Sequence, residues 1–310
     1  MAFTAADVKT LREMTGVGMM DCKKALTESN GDMEAAVVYL REKGLAAAEK
    51  KAGRIAAEGV VYANVYPNGV GVVVEVNSET DFVAKNETFQ KFVADVASVI
   101  AEKNPANVDA LMELPFPEGG TVADAQRDKV LVIGENIKIR RFVRYEGGTS
   151  VAYVHAGGKV GVLVNMELEG ISADAVQELG RDIAMQACAM SPHFLSRADV
   201  DQATLDKERE ILLAQAKEEN KQSAKPKPDA IIEKMVEGRM SKYYAENCLL
   251  EQGFVKDDKV TVAKHVEEVA KGLGGKITVT KFERMERGDG LEKREDDLAA
   301  EVAKLTGGAN

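Results

Sequence analysis

No apolar run in this 310-residue chain approaches the roughly 20 residues needed to span a bilayer, and the N-terminus carries no apolar signal segment. A membrane or exported protein is therefore not expected, and the cytoplasm is the predicted compartment. The three cysteines, Cys22, Cys188 and Cys248, are odd in number, far apart and free of CxxC pairing. They fit neither a disulfide framework nor a zinc site, which leaves reduced thiols as the default. Catalytic signatures are also missing. No GxxxxGK[ST] phosphate cradle occurs, and no serine sits in a GxSxG elbow. Gly16 and Gly18 could begin a GxGxxG, but Asp21 occupies the third glycine position. The histidines, His155, His193 and His265, have no HExxH or paired-ligand spacing. An enzyme is the weaker class on these grounds, and neither a metal nor a cofactor is expected. Cationic excess is absent as well: the net charge is −10, which disfavours a nucleic-acid partner because such affinity comes mainly from clustered cations meeting phosphates.

What is present points to a soluble protein of several parts. Hydrophobic content of 45% and charged content of 30% are ordinary, and the length allows two or more cores. Charge is uneven: residues 1–54 hold nine Lys/Arg against eight Asp/Glu, leaving 32 against 43 for the remainder. A near-neutral head on an acidic body suits a protein that docks on another protein.

Residues 1–54 read as a three-helix module with a linker. Thr4 and Asp7 have capping-box spacing, and Val8 and Leu11 share a face of the first helix. A second helix is predicted from about Met20, ending before Asn30-Gly31. Asp32 caps a third, with Met33, Ala36, Val37 and Leu40 at helical spacing and Gly44 as its stop. Residues 46–54, with Lys50, Lys51 and Arg54, read as a basic helical linker. Between the first two helices, Thr15 to Gly18 form a glycine-rich turn followed directly by Met19 and Met20. Two flexible, polarisable side chains there suit either an adaptable contact surface or a small core.

The body repeats itself. Residues 60–76 read as strand, Asn68-Gly69 turn and strand, and residues 150–166 repeat the pattern around Gly157-Gly158. A helix follows each hairpin, marked by Phe89, Phe92, Val93, Val96 and Ile100 in one unit and by Val176, Leu179, Ile183 and Ala187 in the other. Each unit closes on a strand, at residues 137–145 and 277–284. The expected fold is α+β: two similar subdomains at 55–147 and at 148–200 with 245–287, each a small antiparallel sheet backed by helices. Residues 201–244 interrupt the second as an antiparallel helical hairpin. It turns at Lys225-Pro226-Lys227-Pro228, where proline cannot continue a helix. Pattern alone leaves open whether that hairpin projects or lies flat. Residues 288–310 read as a C-terminal helical module.

The sharpest local candidate is Thr80-Asp81-Phe82-Val83-Ala84-Lys85-Asn86, a loop between a strand end and a helix capped by Asn86. Phe82 either tucks into its own core or stands exposed at a domain rim. Its charged neighbours Asp81 and Lys85 favour exposure, and an exposed ring on a short anchored loop makes a good wedge.

Two motifs, TGVGMMDCKKAL at residues 15–26 and TDFVAKN at 80–86, make the chain similar to the bacterial elongation factor Ts family, and the similarity runs its whole length. That family comprises guanine-nucleotide exchange factors for the GTPase elongation factor Tu, which implies this partner in its GDP-bound and nucleotide-free forms. The resemblance implies a UBA-like N-terminal module whose Arg12, Met19, Met20 and Lys23 touch the GTPase domain. It implies that Asp81 and Phe82 enter near the partner's magnesium and phosphate site, with Thr80 and Val83 completing the motif. Ile133, Gly134 and Asn136 match a loop supporting that contact, and His155 and Met235 match positions that meet the partner's other domains. The rival reading is a non-enzymatic adaptor or chaperone-like interaction module. Oligomeric state, a homodimer included, stays open.

Overall fold

The computed structural model describes residues 3–223 and 226–292. Helix α1 (Ala5–Thr15) starts at Thr4, whose hydroxyl accepts from the Asp7 amide while the Asp7 carboxylate accepts from the Thr4 amide at 2.7 Å. It ends at Gly16, where φ is +67°. Helices α2 (Met19–Glu28) and α3 (Met33–Lys51) follow, α3 capped by the Asp32 carboxylate. Leu11, Cys22, Leu26 and Leu40 are the centre of a small core.

The glycine expected to stop the third helix does not do so. Gly44 is buried within α3, and a Cβ there would already touch the Leu131 side chain at 3.7 Å. The residue lets α3 lie close against a later helix. Packing along that contact offsets the roughly 0.5–1 kcal/mol that glycine costs relative to alanine in a helix interior. Most of the basic stretch after Gly44, through Lys51, is thus the last two turns of α3, while Ala52–Arg54 turn and an irregular segment leads into β1.

Strands β1 (Glu58–Val65) and β2 (Gly71–Ser78) form the first hairpin. The single-turn helix α4 (Asp81–Ala84) follows, where a loop was expected, and then α5 (Glu87–Lys103), the short α6 (Val108–Met112) and α7 (Val122–Ile133). Asn86 caps α5, its side-chain oxygen accepting from the Phe89 amide at 3.2 Å. Strand β3 (Lys138–Tyr145) completes an antiparallel sheet in the order β1-β2-β3. Strands β4 (Thr149–His155) and β5 (Val160–Glu169) repeat the design, covered by α8 (Gln177–Met190). The insertion comprises α9 (Gln202–Gln222) and α10 (Asp229–Asn247). A short pair β6 (Gly253–Phe254) and β7 (Asp257–Thr261), helix α11 (Val262–Gly272) and strand β8 (Lys276–Glu286) complete the second unit, whose sheet order is β4-β5-β8.

The two units form an α+β fold in which each sheet has helices on one face. Val72, Val74, Val76, Phe89, Phe92 and Ile100 share one core; Val162, Val164, Met166, Ile183 and Val262 share the other. The opposite faces of the two sheets pack on each other, through Val61, Val73 and Tyr145 of the first and Leu163 and Met285 of the second. The layers therefore run helix, sheet, sheet, helix, a stacking that the repeat alone did not predict. Glycine permits the close approach: a Cβ on Gly71 would lie 2.7 Å from Leu163, and one on Gly161 2.5 Å from Val61. Every residue of β2 is buried, as befits a central strand covered on both faces.

The seam also buries a charge. Glu75 is fully buried and accepts from Arg141 Nε at 2.7 Å, Arg140 Nη1 at 3.0 Å, Asn77 Nδ2 at 3.0 Å and the Gly288 amide at 2.8 Å. Burial alone would push its carboxyl up; the Gly288 amide, Asn77 and the two guanidiniums outweigh it and hold the group below its ordinary value. Hydrogen bonds from the Val61 amide to the Gly158 carbonyl (2.8 Å) and from Arg287 Nη1 to the Gly59 carbonyl (3.2 Å) add to the joint.

In the insertion, Ala216, Ile232, Val236 and Met240 make a core from the hairpin's own residues. Helix α9 ends before the Lys-Pro-Lys-Pro segment, of which Lys225 lies outside the described residues. The C-terminal helix expected after residue 288 lies, from residue 293, outside them as well; residues 287–290 form a turn. No helix among the described residues is long and apolar enough to cross a membrane.

Candidate functional site

After β2, the chain leaves the sheet and turns once as α4. Because four residues make little more than one helical turn, two side chains face the core and two face away. Val83 and Ala84 are buried in the first core, while Asp81 and Phe82 are exposed, the ring at 78%. Lys85 Nζ lies 3.2 Å from the Asp81 carboxylate and 6.0 Å from the centre of the Phe82 ring. Both are exposed contacts, worth at most about 1 kcal/mol.

The turn is held from across the fold. Glu135 Oε2 accepts from the Glu79 and Thr80 amides, each at 3.0 Å, and Glu135 Oε1 accepts from the Thr80 hydroxyl at 2.6 Å. In return, Glu79 Oε1 accepts from the Asn136 amide at 2.6 Å. Asn136 Nδ2 donates to the Arg54 carbonyl at 2.9 Å, and Arg54 Nη1 lies 3.4 Å from Glu79. Gly134, at φ +86°, ends α7 in the left-handed conformation that swings Glu135 and Asn136 toward the turn. Among Ile133, Gly134 and Asn136, the structure thus gives Asn136 a direct tie to the residue preceding Thr80. Of the two carboxylates that knit the segments, Glu135 lies inside the Ile133–Asn136 loop that the resemblance marks but carries no role of its own there, and Glu79 has no local feature that distinguishes it.

Phe82, Val83, Asn86, Thr88, Val132 and Ile133 line an open cleft of about 270 Å³. Val132 also packs on the core of the three-helix module, and the Gly16 turn approaches it, a Cβ there lying 3.9 Å away. The end of α7 therefore bridges the glycine turn of the module and the Phe82 turn. On the module, Met19 and Met20 are 52% and 74% exposed, and Arg12 and Lys23 are exposed too. Of the two sequence readings, contact surface or core, exposure fits the first. Met14, also exposed, adds a third methionine that sequence reasoning passed over. Between them Cys22 is buried and donates to the Val17 carbonyl at 3.4 Å; burial pushes its thiol up, so it is a packing residue rather than a nucleophile.

His155 and Met235 stand elsewhere. His155 is exposed where β4 enters its turn, with Nδ1 3.0 Å from the Tyr153 hydroxyl. Met235 is half-buried on α10, its sulfur 3.5 Å from Lys227 Nζ. Among the described residues no group of three or more His, Cys, Asp or Glu side chains could hold a metal ion.

A family model described as Elongation factor TS matches residues 79–289. Proteins named Elongation factor Ts are similar along the full length. That of Trichlorobacter lovleyi is 50% identical over 315 residues, covering 99% of each chain. That of Clostridium perfringens is 50% identical over 307 residues, covering 98% of this chain and 99% of its own. The Magnetococcus marinus protein is 49% identical over 311 residues, covering 99% and 100%.

Proposed function

The chain belongs to the elongation factor Ts family of translation elongation factors, and from that membership we propose that it binds elongation factor Tu carrying GDP and accelerates GDP release. Exchange of this kind needs a reciprocal coupling: factor and GDP must each weaken the other's hold on the GTPase. The factor therefore has to bind the nucleotide-free form better than the GDP form, and some of its contacts must form only once the nucleotide site opens.

The observation that carries this reading is the exposed Phe82 ring on a turn tied at Thr80 to Glu135 and seated on the buried Val83 and Ala84. An apolar ring with few rotatable bonds can enter a neighbour's pocket at small entropic cost. In our reading the three-helix module grips the GTPase domain through Arg12, Met19, Met20 and Lys23. His155 and Met235, on the second unit and its insertion, meet the rest of the partner. Held between these anchors, Asp81 and Phe82 push beside the magnesium and phosphates, with Thr80 and Val83 fixing the turn. GDP loses contacts and leaves, and GTP refills the site by mass action. No covalent step and no cofactor of the factor's own is required.

Fluorescent GDP bound to elongation factor Tu is the direct assay. Catalytic amounts of this protein should accelerate its release through many turnovers. Stoichiometric binding without faster release would refute the exchange reading and leave an adaptor.

A further inference from the structure

We infer that Glu135 is the positioning residue of the exchange turn: with Glu79 it forms a reciprocal clasp that holds Phe82 at a fixed height and so sets the maximal exchange rate rather than the affinity. The inference rests on the exchange reading above and adds to it the device that makes the turn stiff. Where the chain leaves β2, the amides of Glu79 and Thr80 have no strand to pair with. One carboxylate, Glu135, takes both of them and the Thr80 hydroxyl besides. Hydrogen bonds to an ionised acceptor are shorter and about twice as strong as neutral ones.

Thr80 makes the point locally. It stands at the N-cap of α4, where a threonine oxygen ordinarily accepts from an amide of the first turn. Here it makes no such bond and donates to Glu135 instead. The capping group thus ties α4 to a segment 55 residues away rather than to its own helix.

The return half of the clasp runs the other way. Glu79 accepts from the Asn136 amide, so each segment is held by the other's carboxylate. Asn136 then reaches the Arg54 carbonyl, and Arg54 faces Glu79. Arg54 follows α3 closely, so the node joins three pieces: the exit from the docking module, the Phe82 turn and the end of α7. A ring that must displace a neighbour's groups needs such a base, because a turn free to recoil would yield instead of pushing.

The test uses the full chain and elongation factor Tu loaded with fluorescent GDP. Glu135→Ala should lower the exchange rate at saturating factor roughly 10- to 100-fold, the scale of a misplacement of about 1 Å, with the half-saturating concentration changed less than about threefold. In a Phe82→Ala background the same substitution should cost much less, only what the placement of Asp81 on the same turn contributes, since no ring remains to be positioned. Glu135→Gln keeps the volume and one acceptor oxygen; it should fold as the parent does and fall between the two in rate. Amide hydrogen exchange at Glu79 and Thr80 should quicken in both variants, whatever the partner does. Unchanged amide protection, loss of affinity alone, or an equal loss with and without Phe82 would each overturn the clasp. If Phe82→Ala itself leaves release untouched, the exchange reading fails first and takes this role with it.

Discussion

Replacing Phe82 by alanine separates what the ring does for this chain from what it does to a partner. With 78% of the residue exposed, the folded protein has little to lose, and its stability should change by less than about 0.5 kcal/mol. On the exchange reading the complex with the GTPase has more to lose. A phenylalanine presents on the order of 200 Å² of side-chain surface, of which roughly 150 Å² is still open here. Burying that area at about 25 cal/mol per Å² is worth about 4 kcal/mol, or on the order of 10³-fold in a rate or an equilibrium constant. Ordering the ring and imperfect packing take part of this, so a loss of about 10²-fold is the working figure. What matters is where the loss falls. If the ring enters only as the nucleotide site opens, Phe82→Ala keeps its affinity for the GDP form, binds the nucleotide-free form more weakly, and releases GDP slowly even at saturation. Stopped-flow release of fluorescent GDP, with titrations against both forms, measures all three. Equal weakening toward both forms with an unchanged maximal rate would make Phe82 a mere anchor. A fall of several degrees in melting temperature would mean that the ring packs into its own chain.

Other consequences concern the joint and the three-helix module. Gly161→Ala should destabilise the fold by about 1–3 kcal/mol through overpacking, because its new methyl would sit 2.5 Å from Val61. Combining it with Val61→Ala, which makes room, should recover on the order of 1 kcal/mol relative to the sum of the single changes in urea titration; strict additivity would contradict the close-packed seam. Glu75→Gln strips the counter-charge from Arg140 and Arg141 and should cost about 3 kcal/mol, the lower end for a broken buried pair because both guanidiniums keep some solvent. The native Glu75 carboxyl titrates below its ordinary 4.5. Its stabilisation is therefore complete above that value and lost as pH falls through the lower, folded value. Melts of the parent should fall across that acid range more steeply than those of Glu75→Gln; parallel curves would refute the assignment. Arg12→Ala and Met20→Ala, both at exposed positions, should each weaken the complex by about 1 kcal/mol without altering the maximal exchange rate. Unchanged affinity in both would remove the N-terminal grip.

Much of this architecture is legible in the chain because local chemistry dictates it. The Thr4–Asp7 capping box, the Asn68-Gly69 turn and the spacing of Phe89, Phe92, Val96 and Ile100 each encode an element within a few residues of themselves. Failures came where a residue answers to something distant. Gly44 looks like a helix stop and is instead a contact point for Leu131. Glu79 and Glu135 look like two among many acidic residues until the fold brings segments 55 and 57 positions apart together. Sheet-on-sheet stacking left one trace in advance. Val72-Val73-Val74, in the first half of β2, breaks the apolar–polar alternation of a half-exposed strand, as a strand covered on both faces can.

That strand connects the two halves of the problem. Gly71, at its start, fits against Leu163 of the second sheet; Ser78, at its end, is two residues from Thr80 and four from the Phe82 ring. An exposed aromatic can transmit a push only if the structure behind it resists displacement. A surface loop, with mobile backbone and few buried contacts, would absorb the push by moving. Here the backing is a strand buried along all eight residues, clamped laterally by β1 and β3 and from behind by a second sheet. Recoil of Phe82 would have to open that seam or break the Glu135 bonds. The same burial that breaks the alternation at Val72–Val74 is thus what, on the exchange reading, would let the exposed Phe82 ring act as a rigid tool.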